Sequence, residues 1–201
     1  MSLAKKKMND IRVFIAIDLP LPIQRGLDQV IHQLKDPKTK AVRWVPSQNI
    51  HLTLKFLGNV QPGNLQALKD VLKADANSIY EFEFQVGKFG VFPNLRKPRV
   101  IWVGIQSPQN LHDLQKAIDL STQRLGYPGE DRPFSPHLTL GRVSQNASFQ
   151  EIRDVSEMLF SFQVGTLGVV KADAITLFRS ELLPTGAVYT RLSVVKLSKL
   201  T

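Results

Sequence analysis

The chain has 201 residues, 43% of them apolar, and its 26 Lys and Arg against 17 Asp and Glu give a formal charge of +9. That length suits one buried core or two small lobes sharing one, and the excess of cations favours a polyanionic partner. No cysteine is present, which excludes disulfides and thiolate metal sites, and apolar runs such as VFIAI are strand-sized, well short of the roughly 20 residues that span a membrane. Residues 1–10 carry Lys5, Lys6 and Lys7 with no apolar signal core behind them, and read as a flexible leader on a cytoplasmic protein.

From residue 12, RVFIAIDLP reads as a strand and a turn. Pro22 to Leu34 follows with Ile23, Leu27, Val30, Ile31 and Leu34 at helical spacing. HLTLKFLG at 51–58 alternates as a strand does, NVQPGNLQALKDVL reads as a turn and an amphipathic helix, and FEFQVG at 82–87 as another strand. A second pass then begins. RVIWVGIQSP at 99–108 echoes the first strand, and Asn110 to Leu125 sets Leu111, Leu114, Ile118 and Leu125 on a helical stripe. HLTLGR at 137–142 repeats the motif, RVSQNASFQEIRDV the turn and helix, and FSFQVG at 160–165 the closing strand. The offsets are 87 (99 − 12), 86 (137 − 51) and 78 (160 − 82), in chain order, which implies an internal duplication. Further strands are expected near 89–92, 173–179 and 187–197. The predicted fold is α+β: a single domain over 1–201 of two pseudo-symmetric lobes, their two sheets flanking a central cleft with helices on the outside.

In a strand His51 and Thr53 share one face while Leu52 and Leu54 take the other, and His137 and Thr139 stand likewise against Leu138 and Leu140. Each motif therefore displays an imidazole and a hydroxyl about 7 Å apart. Facing lobes would bring two of each into one cleft. Imidazoles titrating near about 6.5 can serve as base and acid, and threonine hydroxyls suit the non-bridging oxygens of a phosphate. In-line displacement at phosphorus needs a base and an acid on opposite sides of it, which a pseudo-twofold axis supplies. A metal is the main chemical alternative, but two imidazoles with no Asp, Glu or Cys in either motif fall short of a usual ligand set, so no metal or cofactor is expected. Neither a G-x-S-x-G elbow nor a Gly-rich phosphate loop is present.

By its paired H-x-T-x motifs the chain resembles the two-histidine (2H) phosphoesterase superfamily. By RWVPSQNIHLTLKFLG, FGVFPNLRKPRVIWVGI, RPFSPHLTLGR and LFRSELLPTGAVYTRL it is similar to that superfamily's 2′-5′ RNA ligase branch, the RNA 2′,3′-cyclic phosphodiesterases. The resemblance implies an enzyme, expected to be a monomer, that opens a terminal 2′,3′-cyclic phosphate on RNA to a 2′-phosphate without a metal, with tRNA halves among its candidate substrates. Joining such an end to a 5′-hydroxyl is the implied reverse reaction. It further implies that His51 protonates the leaving 3′-oxygen and His137 activates water, roles that the near-symmetry of the sequence allows to be exchanged, with Thr53 and Thr139 on the phosphate. Arg142 matches the arginine that helps hold the phosphate; strict alternation would turn it away from His137, so the strand is expected to end or bulge at Gly141. Phe56, the equivalent position after His51, resembles a base-stacking residue, with a core phenylalanine as the alternative. A phosphodiesterase for small cyclic nucleotides and a non-catalytic RNA-binding module are the competing functions.

Outside the motifs, Lys55 falls by parity on the face of His51 and Thr53, or is a solvated rim charge. His32 and His112 are expected on helix surfaces, and Trp44 and Trp102 in packing. Arg96, Lys97 and Arg99 belong to a solvated loop or an RNA path, and Arg132 and Ser135 to the cleft rim.

Overall fold

The computed structural model describes residues 10–36, 40–184 and 186–199, so the expected leader lies, up to residue 9, outside the described residues. The elements run β1 (Ile11–Ile17), α1 (Leu21–Leu34), β2 (Val42–Trp44), β3 (Leu52–Val60), α2 (Leu65–Asn77), β4 (Phe82–Phe92), β5 (Val100–Gln106) and α3 (Gln109–Arg124). They continue with β6 (His137–Val143), α4 (Phe149–Phe160), β7 (Gly168–Ala172), β8 (Ala174–Leu183) and β9 (Gly186–Lys196). Local signals set the helix starts. Pro22 stands in the first turn of α1, where its missing N–H costs no hydrogen bond, and α4 opens on a capping box between Ser148 and Glu151.

The strands form two antiparallel sheets, ordered β3-β1-β8-β9 and β2-β6-β5-β4-β7. The β1–β3 and β5–β6 ladders share one register at the constant offset of 86 (137 − 51): Phe14 faces Phe56 as Val100 faces Arg142, and Ala16 faces Thr53 as Trp102 faces Thr139. The duplication is therefore structural, and its first strands align one residue away from the offset of 87 that the RV echo suggests. A one-residue slip in a strand exchanges its two faces, so this shift decides which side chains meet the cleft.

The two lobes do not coincide with the two halves of the chain. β4, from the first half, pairs with β5 and β7, while β8 and β9 return to complete the sheet of β1 and β3. The short 93–99 connection makes a hairpin of β4 and β5, and that proximity outweighs membership of a half. The helices cross in the same way, with α1 packing against β7 and α3 against β3. FSFQVG is not a strand either. Phe160 ends α4 and is exposed, residues 162–167 are irregular, and β7 begins at Gly168. The counterpart of β4 in the other sheet is β8. β2 is too short, at three residues, to show any period; it pairs with β6 in the sheet of the second motif.

One large apolar cluster joins the helices to the faces of both sheets turned away from the cleft. α1 contributes Ile23, Leu27, Val30, Ile31 and Leu34, and α3 contributes Leu111, Leu114 and Ile118, all buried as expected, whereas Leu125 lies one residue past the end of α3 and is half-buried against the cluster. Each such side chain adds roughly 1.5–3 kcal/mol by leaving water.

Both motif strands bulge at the same place. Thr53 and Lys55 pair with consecutive residues of β1, leaving Leu54 over, and Thr139 and Gly141 do the same on β5, leaving Leu140 over. The extra residue reverses the alternation, so Leu54 and Lys55 both turn inward and Phe56 turns outward. Leu140, Gly141 and Arg142 repeat this, which places the expected bulge one residue before Gly141. It also corrects the parity argument for Lys55, which shares no face with His51: it is 1% exposed, and its Nζ pairs with the Asp119 carboxylate of α3. Phe56 is 59% exposed, which removes the alternative of a core phenylalanine.

Candidate active site

His51 lies immediately before β3 and His137 opens β6. Each ring Nδ1 is bound to the carbonyl two residues back, Asn49 O at 2.9 Å and Ser135 O at 2.7 Å. A carbonyl only accepts, so Nδ1–H donates and Nε2 keeps its lone pair on both rings. Ser135, expected at the rim, thus acts through its main chain.

The two rings sit against different walls. His51 stacks on Phe14 at 4.5 Å and meets Tyr189 edge-on at 5.3 Å, while Phe14 in turn stacks on Phe178. Beside them Asp18 accepts from Thr176 Oγ1 at 2.7 Å and from Arg191 Nη2 at 3.0 Å. His137 meets Phe92 edge-on at 5.1 Å, with Trp102 at 6.3 Å. Trp102 lies on Gly90, where a Cβ would come within 2.1 Å of the indole. We therefore expect Gly90→Ala to displace the indole and loosen the His137 wall, quenching or shifting its fluorescence and lowering turnover; an unchanged emission spectrum and rate would contradict that packing.

Burial pushes the His51 pKa down to about 4, against the opposing pull of the Asn49 carbonyl and of Asp18. Burial also lowers His137, opposed by the Ser135 carbonyl and reinforced by the Arg142 charge. Burial raises the Tyr189 hydroxyl, against Arg142, Arg12 and Arg43. Arg142 therefore acts on both His137 and the tyrosine that edges His51, which ties the two motifs to one cleft. β3 and β6 also bring Cα atoms within 8 Å of each other although they belong to different sheets.

Arg142 is exposed on the same face of β6 as Thr139, after the bulge, and Phe56 holds the matching place on β3, 6.1 Å from Phe14. Thr53 and Thr139 are half-buried. Among the described residues neither hydroxyl has a protein partner, and no group of three or more His, Cys, Asp or Glu is placed to hold a metal ion. Trp102 packs as expected, as does Trp44, which lies against Gly141. Of the remaining candidates, His32 and Arg132 are exposed, and His112 is half-buried with Nε2 2.9 Å from Ser107 Oγ. Arg96 and Lys97 are exposed in the loop organised by Asn94, whereas Arg99 Nη1 donates to Ser144 O at 2.7 Å.

The motifs do not point to Phe14, Asp18, Phe178, Tyr189 or Arg43. Each reaches the cleft from a strand or strand end without a motif of its own; alternation along β1, β8 and β9 is a signal for Phe14, Phe178 and Tyr189, and none marks Asp18 or Arg43.

The family described as LigT like Phosphoesterase matches residues 17–102 and again 103–189, dividing the chain between the two motif copies. An RNA 2′,3′-cyclic phosphodiesterase of Methanothermobacter thermautotrophicus is 33% identical over 187 residues, covering 93% of this chain and 99% of its own. One from Methanocaldococcus jannaschii is 34% identical over 178 residues, covering 89% and 96%. Among solved structures, TT0787 of Thermus thermophilus superposes with a TM-score of 0.77 at 27% identity, over 93% of this chain and 98% of that one. E. coli LigT complexed with 3′-AMP gives 0.76 at 28%, over 94% and 99%. With a family match in each half and relatives of this identity along nearly its whole length, the chain belongs to the LigT-like phosphoesterase family of the two-histidine superfamily.

Proposed function

We propose that this protein is an RNA 2′,3′-cyclic phosphodiesterase that opens a terminal cyclic phosphate to a 2′-phosphate, using His51 and His137 and no metal. The observation that carries the proposal is the pair of imidazoles at equivalent strand positions, each with its Nδ1 proton held by a backbone carbonyl and its Nε2 left for chemistry. The names of the relatives support the same activity.

For a 2′-phosphate to form, the bond from phosphorus to O3′ must break. His137 Nε2 takes a proton from water, the water oxygen bonds to phosphorus opposite O3′, and His51 gives its Nε2 proton to O3′ as that oxygen leaves. One proton enters the protein and one leaves it, so turnover resets by proton exchange with solvent. Arg142 and the two threonine hydroxyls donate to the non-bridging oxygens. Phe56 offers a face for a base, where stacking contributes about 1–3 kcal/mol. Run backwards with a 5′-hydroxyl in place of water, the same groups form a 2′-5′ linkage. The chain works as one two-lobed domain and as a monomer, since one chain supplies both histidines; its proposed compartment is the cytoplasm, and tRNA halves are among the RNA ends it takes.

Burial keeps His51 neutral down to about pH 4. The negative charge of a bound phosphate favours its protonated form, as Asp18 already does. The profile of kcat/KM reports the free protein, and both histidines titrate below their ordinary value, so the bell for a short cyclic-phosphate RNA is expected to peak below about pH 6.5. His137→Ala should flatten the acid limb and His51→Ala the alkaline limb. The opposite pattern exchanges their roles, and a profile flat from about pH 5 to 9 contradicts the acid–base pair.

A further inference from the structure

Arg142 lines more than the cleft. It also borders a recess of about 840 Å³ at the β2–β6 edge of the five-stranded sheet, together with Lys40, Arg43, Arg99, Ser144 and Gln145. That volume lies in the range of small-ligand sites, about 300–1,000 Å³. Four of the lining side chains are cationic and none is acidic. Arg43 stands directly opposite Arg142 in the β2–β6 ladder, and Val100, next to Arg99, stands opposite it on the other side. Like charges facing each other across a sheet repel, and among the described residues none of the four cations pairs with a carboxylate. Arg99 is nevertheless held, since its Nη1 donates to Ser144 O. A set of unneutralised, partly oriented cations next to a phosphate site lowers its energy by taking up further phosphates.

We propose that this recess binds the ribose-phosphate backbone immediately 5′ of the terminal cyclic phosphate, so that the protein takes the end of an RNA strand in preference to a lone cyclic nucleotide. The inference rests on the function proposed above. It gives Lys40, Arg43 and Arg99 a sequence-independent role: they hold the strand in place and read no base. Arg96 and Lys97, near Arg99 in sequence, do not line the recess.

The test uses the double variant Lys40→Ala/Arg99→Gln, which touches neither histidine, neither threonine nor Arg142, with its thermal midpoint measured as a check on folding. Two quantities are compared with the native protein. One is kcat/KM for a 2′,3′-cyclic mononucleotide and for a tetranucleotide with the same cyclic end. The other is the affinity for a fluorescent tetranucleotide ending in a 2′-phosphate, by anisotropy, from about 50 to 200 mM salt. The mononucleotide rate is expected to stay within about twofold, while the tetranucleotide loses about tenfold in kcat/KM and in affinity at the low-salt end. The slope of log affinity against log salt should shrink by about 1.4, roughly 0.7 for each single-strand phosphate contact removed. Unchanged tetranucleotide affinity and slope overturn the proposal, as does an equal loss on both substrates. If the native protein turns over neither substrate but the variant still shows the salt-dependent loss of binding, the recess stands and the enzymatic function falls.

Discussion

His51→Ala is expected to lower kcat on a cyclic-phosphate RNA by about 10²–10⁴-fold, and His137→Ala by a similar factor, the range typical of a positioned acid or base. In the proposed mechanism the two groups act on opposite ends of one displacement, so removing both should cost little more than removing either. Single-turnover hydrolysis of a short RNA measures this directly. The fold should survive, because both rings line the cleft and lie outside the large apolar core. His51→Ala loses the stack on Phe14, worth about 0.5–1.5 kcal/mol beyond the area buried. It should also change the acid stability. The folded His51 pKa lies below the unfolded one, so between about pH 6.5 and 4 the unfolded chain binds the extra proton, and stability falls as pH drops through that window. Alanine removes that dependence, which chemical denaturation at several pH values would register.

The second large effect concerns stability. Asp119→Ala is expected to destabilise the protein by about 3–5 kcal/mol, because it leaves an ammonium buried without its counter-charge. The Lys55 side chain is 0% exposed and its ammonium is held by Asp119, whereas Asp119 is 19% exposed and also accepts from Gln123 Nε2 at 2.7 Å. The converse variant, Lys55→Met, should cost markedly less. It replaces the stem with an apolar one of similar length and leaves the carboxylate with a hydrogen bond and access to water. The double variant Lys55→Met/Asp119→Leu should recover most of what Asp119→Ala loses. Equal losses for Asp119→Ala and Lys55→Met in urea titrations would contradict this asymmetry.

The motif carries much of the proposed site because the chemistry proposed there constrains residue identity. His51, Thr53, His137 and Thr139 can be paired from the repeat alone, and the helical stripes place the buried residues of α1 and the apolar buried residues of α3, overrunning the end of α3 only at Leu125. Lys55 shows what the repeat leaves out. Leu52, Leu54 and Lys55 look like an ordinary alternation, and nothing local marks Leu54 as the residue the ladder skips; the bulge follows from pairing with β1. The same event in β6 turns Arg142 toward the cleft, where the need of a phosphate for a guanidinium suggests a bulge that composition alone does not locate. FSFQVG misleads for a related reason. Its likeness to FEFQVG is real, but the capping box at Ser148 starts a helix that runs through Phe160, and the helix takes the segment's first residue. Asp18, Tyr189 and Arg43 reach the cleft from three different strands or strand ends, and no sequence spacing encodes a meeting of strands.

The most direct test of the central claim is hydrolysis of a short RNA ending in a 2′,3′-cyclic phosphate by the purified protein in excess EDTA, with the product end identified by phosphorus NMR. The expected result is a 2′-phosphate end, formed at a rate that EDTA leaves unchanged. A 3′-phosphate end, or turnover that stops with the chelator and returns with added metal, would contradict it.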